Sequence, residues 1–174
     1  KNVDKEVVFG ALEFALAHGG PVAMRRLADA ATPALVAAPL TKPAIITASV
    51  TAAKQIEWQK YIEARRAAKF PDIKMAVLRP CDDKQDRAFD EANTILSAYP
   101  NVKLLMAICS PAVPGAAEAV KQSRRPDVKV IGLGLPNDSK PYVHTGITEA
   151  VVLWNTMDLG YLTIYAAKAV KEGS

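Results

Sequence analysis

The sequence predicts an α/β domain, a doubly wound three-layer sandwich with a mainly parallel five-stranded sheet. Short apolar runs alternate with amphipathic segments of about a dozen residues, a pattern typical of βαβ units. The runs are apolar nearly throughout, as strands covered by helices on both faces should be. At 174 residues, with half of them apolar, the chain is long enough for one packed core. We therefore expect a single domain spanning residues 1–174.

The five predicted strands are the apolar runs at residues 43–48, 75–79, 104–108, 128–133 and 149–154. In a doubly wound order of 2-1-3-4-5, the second and third strands flank the first. The strands that end at Cys81 and Cys109 then stand about 10 Å apart, which is too far for a disulfide. The loops after these strands could approach each other more closely.

The predicted helices lie between the strands and are marked by apolar residues at helical spacing. Trp58, Phe89 and Val113 each belong to such a stripe, and residues 5–17 form a further helix before the first strand. Asp83 and Asp86 precede the Phe89 stripe and are typical of a helix start. A final helix at residues 156–171 is apolar nearly all round.

The least regular part of the chain lies at residues 20–43, between a Gly-Gly turn and the first strand. Four prolines, at positions 21, 33, 39 and 43, surround a short alanine-rich stretch that could form a helix at residues 23–31. Turn residues of this kind indicate a surface excursion or a linker. No function is assigned to it.

Composition and motifs argue against several classes of function. A net charge of +4 is modest, and no basic cluster indicates a nucleic-acid site. The longest apolar stretches are shorter than the roughly 20 residues that cross a bilayer. Two cysteines and two histidines supply too few ligands for a metal site. The nucleotide, phosphate, hydrolase and metalloprotease motifs GxGxxG, GxxxxGK[ST], GxSxG and HExxH are absent, so we expect no enzyme and no cofactor.

Ligands of open parallel sheets bind beyond the carboxyl ends of the strands, and the residues there are polar. Carboxylates, amides and hydroxyls can bind the hydroxyls of a sugar, and an indole can cover a ring face. These residue types make up the candidate ligand site: Asp82, Asp83, Cys109, Ser110, Asn137, Trp154 and Asn155.

Each candidate also has a structural interpretation. Asp82 and Asp83 could cap a helix. Cys109 and Ser110 could shape a turn, and Trp154 could belong to the core. Asn137 and Asp138 together are typical of a turn.

Several runs of this sequence resemble rhamnose-type and autoinducer-2-binding periplasmic sugar-binding proteins. They are Leu-Arg-Pro-Cys-Asp-Asp at 78–83, Ala-Ile-Cys-Ser-Pro-Ala-Val-Pro-Gly-Ala-Ala at 107–117, Ile-Gly-Leu-Gly-Leu-Pro-Asn at 131–137, Lys-Pro-Tyr-Val at 140–143, Leu-Trp-Asn at 153–155 and Asp-Leu-Gly-Tyr at 158–161. The runs occur in the family's order, and the resemblance covers residues 43–173. The resemblance is mainly to the second lobe of such proteins.

The resemblance implies a type I periplasmic solute-binding protein, in which two similar lobes close over a sugar or sugar-like signal molecule. Such proteins present the ligand to the permease of an ABC importer. By similarity, the loops that hold Asp82 and Cys109 contact the ligand, and the segment 154–155 lies at the hinge. Asn137 corresponds to a cleft loop, although a nearby aspartate of sugar-binding relatives has no match here.

The departures from the family are as informative. Its first lobe has no counterpart in these residues, which indicates a shortened protein or a fragment. About 23 residues separate Gly20 from Ala44, where the family has a short turn. A final helix that is apolar nearly all round is normally buried on more than one side. We therefore expect a homodimer formed through this helix, and a domain that self-associates without binding ligand is the alternative function.

Overall fold

A computed structural model describes residues 42–153 and 156–172 of the chain. Their residues fall into two compact units, one within Met24–Leu153 and one that contains the final helix. The predicted helix at 5–17, nearly all of the segment 20–43, and the candidates Trp154 and Asn155 lie outside the described residues.

The described elements alternate between strand and helix along the chain, as the sequence predicts. They are β1 (Ala44–Thr47), α1 (Ala53–Lys69), β2 (Leu78–Pro80), α2 (Gln85–Ala98), β3 (Leu104–Ala107), α3 (Ala112–Gln122), β4 (Lys129–Leu133), α4 (Pro136–His144), β5 (Thr148–Val152) and α5 (Thr156–Glu172). All neighbouring strands pair in parallel, in the order β2-β1-β3-β4-β5. The α/β fold with a five-stranded parallel sheet is thus confirmed.

The core lies around β1 and β3, in which every residue is buried. One face of the sheet, which includes Ile46 and Leu105, forms a single apolar cluster with residues of α2 and α3. The two helices pack closely at Gly115, where a Cβ atom would lie 2.5 Å from the Gln85 carbonyl oxygen. A side chain at this position would push α2 and α3 apart.

Gly132 and Gly134 have one residue between them, which is the spacing found in a dinucleotide-binding loop. Their role here is in packing. A Cβ on Gly132 would lie 2.1 Å from the Ala107 carbonyl oxygen and 2.6 Å from Cγ2 of Val113. Neither glycine adopts a positive φ. Close approach of β4 to β3 and α3, rather than a phosphate, explains the absence of a side chain at Gly132.

The helix α4 is absent from the sequence-based expectation, which assigned Asn137 and Asp138 to a turn. That assignment is wrong, because both residues belong to the first turn of α4. Pro136 occupies the start of the helix, where its missing N–H costs nothing. Pro141 lies inside the helix and made the segment resemble a loop.

The final helix, α5, runs one residue beyond the predicted end. Five large apolar or aromatic side chains on it are exposed, by 55–81%: Met157, Tyr161, Leu162, Ile164 and Tyr165. The rings of the two tyrosines lie 4.5 Å apart. Across residues 42–153 and 156–172, none of the helices has both the length and the hydropathy of a bilayer span.

Candidate functional site

The loop after β2 presents two carboxylates at the carboxyl edge of the sheet. Asp82 and Asp83 are exposed and adopt φ values of 50° and 57°. The left-handed region costs an L-residue about 1 kcal/mol or more, and aspartate tolerates it better than most residues. Two consecutive residues in this conformation bend the chain sharply before α2 begins.

Neither aspartate caps α2. The N-cap residue is Lys84, which makes no side-chain capping hydrogen bond, and the acidic residue of the first turn is Asp86. Asp83 therefore precedes the helix and does not open it. This finding removes the structural interpretation of the pair as caps and leaves the two carboxylates at the edge.

The two carboxylates differ in their partners. Asp82 forms an ion pair with the Arg87 guanidinium, and both side chains are about half exposed. Within the described residues, the Asp83 carboxylate has no hydrogen-bond or ion-pair partner. The Arg87 contact had no recognisable signal in the sequence, because the turn between positions 82 and 87 breaks helical spacing.

The loops after β2 and β3 meet through their cysteines. Sγ of Cys81 and Sγ of Cys109 are 3.5 Å apart, and both residues are buried. The expected separation of about 10 Å holds for strands two positions apart, but the loops converge once the strands have ended. Asp82 directly follows Cys81, and Ser110 directly follows Cys109. The contact between the two sulfur atoms therefore brings the two candidate loops together.

Their mutual hydrogen bond affects the two thiols in opposite directions. It is the largest cause that lowers the pKa of Cys81 to about 7; backbone N–H groups of Asp83 and Lys84 act in the same sense, and desolvation opposes them. The same hydrogen bond, followed by burial, raises the pKa of Cys109. The pair therefore favours a state in which Cys81 carries the charge and Cys109 donates the proton.

The loop after β3 leads directly into α3. The backbone N–H of Ala112 donates to the carbonyl oxygen of Cys109, which closes the turn. Ser110 is partly exposed and lies two residues before the helix begins at Ala112. The buried Cys109 thus shapes the turn, whereas Ser110 is accessible to a ligand.

Asn137 lies apart from these loops, at the start of α4. It lines a cavity of about 370 Å³ between α4 and β5, together with Lys140, His144 and Glu149. His144 is exposed, as its polar character suggests, and sequence reasoning missed the cavity because it missed α4. A histidine at spacing i+4 from Lys140 becomes informative only once the segment is known to be helical.

The polar groups at this edge suit a ligand with hydroxyls better than a metal ion. Among the residues that the structure describes, no cluster of three or more His, Cys, Asp or Glu could bind a metal. Carboxylate oxygens accept hydrogen bonds from hydroxyls, and a serine hydroxyl both donates and accepts. Asp82, Asp83 and Ser110 could therefore bind a polyol.

Comparison with known proteins identifies a family and a relative. The model of the family described as periplasmic binding protein domain matches residues 15–174. The D-apiose import binding protein of Paraburkholderia graminis is 32% identical over 84 residues, which are 48% of this chain and 27% of that protein. This chain therefore spans well under two thirds of its relative's length.

Solved structures show the same fold. A solute-binding protein of an ABC transporter from Clostridium phytofermentas, with bound L-rhamnose, has a TM-score of 0.75 and 25% identity; the match covers 86% of this chain and 49% of that one. LsrB from Clostridium saccharobutylicum in complex with AI-2 has a TM-score of 0.80 and 22% identity over 89% of this chain and 51% of that one. The chain spans about half of each.

Proposed function

Because the chain belongs to the periplasmic binding protein domain family, we propose that it binds a sugar or sugar-like signal molecule in the periplasm for an ABC importer. A relative named for D-apiose import and a 25% identical structure with bound L-rhamnose favour a monosaccharide as the ligand. In this role the chain delivers its ligand to a permease and catalyses no reaction.

The observation that carries the proposal is the pair of exposed carboxylates, neither of which caps a helix. Asp82 and Asp83 are exposed at the carboxyl edge in a strained backbone conformation and do not cap α2. Two adjacent aspartates in the left-handed region cost conformational free energy, and such strain is concentrated at functional sites. Binding of sugar hydroxyls is such a function, with Ser110 contributing from the neighbouring loop.

The remaining candidate residues have distinct proposed roles. Cys109 positions Ser110 through the turn that it closes, while Asn137 contributes an amide from the start of α4. We further propose that Trp154 and Asn155, at the hinge by resemblance to the family, contact the ligand from the end of β5. None of these roles needs a cofactor or a metal.

Isothermal titration against L-rhamnose, D-apiose and autoinducer-2 tests the proposal. We expect one of them to bind, with a Kd of about 0.1–1 mM if these residues alone supply the contacts. Replacing both Asp82 and Asp83 by alanine should weaken that binding about tenfold or more, because hydrogen bonds to charged groups are worth about 1.5–3 kcal/mol.

The matched control removes two carboxylates from α2 itself, with Asp86→Ala and Asp90→Ala. It has the same change in net charge and should retain the wild-type Kd. Equal weakening by both double variants would contradict the assignment of the site. Absence of heat with all three ligands, for protein that is folded by circular dichroism, would contradict sugar binding.

The exposed face of α5 favours a second candidate function, self-association. The exposed side chains of Tyr161, Leu162 and Tyr165 lie at helical spacing and form a patch that monomers seldom leave open. We propose that two copies pair through this face. Light scattering should then give about twice 18.7 kDa, and Leu162→Glu should return the mass to that of one chain. A single-chain mass for the wild type at high concentration would exclude this pairing.

A further inference from the structure

The two cysteines of the chain form a buried pair beneath the candidate ligand loops. Cys81 is 0% exposed and Cys109 is 3% exposed, and their sulfur atoms are in contact at 3.5 Å. The sequence contains two cysteines in total. Any disulfide within one chain must therefore join these two residues.

The end of β1 explains why the sulfurs meet. This strand lies between β2 and β3 in the sheet, and its last residue, Thr47, accepts a hydrogen bond from the backbone N–H of Cys81. On the other side, the N–H of Ile108 donates to the Ile46 carbonyl. Beyond Thr47 no strand separates the flanking loops, and the next residue, Ala48, has a small side chain. The two thiols can then approach across the gap.

The two thiols are close enough for a disulfide to form between them. A lowered pKa raises the fraction of Cys81 present as thiolate, the nucleophile in thiol–disulfide exchange. Closing a disulfide requires the sulfurs to approach from 3.5 Å to about 2.05 Å. Rotation of the two side chains and adjustment of the loops that follow β2 and β3 would close this distance.

We propose that Cys81 and Cys109 are a modification site, a reversible disulfide that ties the loop after β2 to the loop after β3. The oxidant is the disulfide of an exchange partner, which reaches the two buried thiols when their loops open or before the loops close during folding. Cys81 thiolate attacks one of its sulfurs and releases a thiolate; Cys109, after losing its proton, then attacks the Cys81 sulfur and releases the second. Two electrons and two protons pass to the oxidant, which becomes two thiols.

The bond would fix the candidate ligand residues relative to each other. Asp82 and Asp83 follow one cysteine, and Ser110 follows the other, so the disulfide removes relative motion of the loops that present them. In the reduced protein, a hydrogen bond holds the same contact and can break. The state of the cysteines therefore sets how rigid this edge of the sheet is.

The test uses the full chain, equilibrated with oxidised glutathione both in the native state and during refolding from urea. Mass spectrometry after denaturation and alkylation should find no free thiol and a mass lower by two hydrogens. The melting temperature of the oxidised protein should exceed that of the reduced protein by about 5–10 °C, given the closed loop between positions 81 and 109. Neither measurement depends on the ligand.

The variants Cys81→Ser and Cys109→Ser provide the controls. Each should acquire at most one glutathione and lose the redox-dependent change in melting temperature. Two alkylated thiols in the wild type after oxidation, from both starting states, would overturn the proposal. A disulfide that joins two chains, seen as a dimer on a non-reducing gel, would overturn it as well.

Discussion

Acidic residues at the two ends of the sheet differ in their hydrogen-bond and ion-pair partners. At the amino end of β4, Asp127 accepts hydrogen bonds from Arg125 and Lys103, which lower the pKa of this carboxyl below its ordinary value. At the carboxyl edge, Asp83 has no such partner in the described part of the chain and lies in the left-handed region. Satisfied carboxylates stabilise the fold, whereas unsatisfied ones in a strained turn are available to a ligand.

The partners of a carboxylate distinguish a role in stability from a role in binding, in a fold where loop ends are generally polar. Arg125 also donates to the carbonyl oxygens of Pro100 and Val102, so the amino end is held by a network. Among residues 42–153 and 156–172, the carboxylates of the Asp82–Asp83 turn have one ion pair, from Asp82 to Arg87. A substitution at the amino end should thus affect stability alone, and one at the carboxyl edge should affect binding.

The largest effect is expected for Arg125→Ala. The variant loses the bonds to two carbonyls and to Asp127, so the free energy of unfolding should fall by about 1–2 kcal/mol, with an unchanged ligand Kd. Urea unfolding followed by circular dichroism measures the first quantity and titration the second. Lys121→Ala, which removes an exposed ion pair with Glu118, is the control and should cost less than about 0.5 kcal/mol. Equal losses of unfolding free energy in the two variants would show that Arg125 stabilises the fold no more than an exposed ion pair does.

A smaller effect of opposite sign is expected for Asp83→Gly. Glycine adopts a φ of 57° without strain, so the free energy of unfolding should rise by about 0.5–1 kcal/mol while ligand affinity falls. Asp86→Gly, within the first turn of α2, should instead destabilise by about 1 kcal/mol. If Asp83→Gly were destabilising, the carboxylate would have a structural role and the carboxyl edge would resemble the amino end.

The sequence was sufficient for the sheet and for the helices with clear apolar stripes. Strands such as β1 and β3 are buried on both faces, and their continuous apolar runs show this directly. The helix α4 could not be predicted in this way, since Pro136 and Pro141 are typical of loops and its stability comes from packing on β5. Local propensity was overridden by tertiary contact.

The sequence predicted which polar residues lie at the strand ends, but it did not predict how the loops beyond them are arranged. Residue types and the rule for parallel sheets placed Asp82, Asp83 and Ser110 at one edge. The contact between Cys81 and Cys109 depends on the path of two loops beyond the end of β1, whose Thr47 carbonyl accepts a hydrogen bond from the Cys81 N–H. Strand spacing alone gave the wrong distance, because it describes the sheet and not the loops beyond it.

The strand order also constrains how this domain can fold. Ala44 of β1 pairs with Leu105 of β3, so the middle of the sheet joins segments far apart in the chain. The entropy of closing such a long loop is lost before the strand contacts that compensate for it can form. Sheets built from distant pairings therefore fold slowly compared with helical bundles. Until β1 pairs with them, the facing edges of β2 and β3 stay open to other chains, so β1 also protects the folding polypeptide from aggregation.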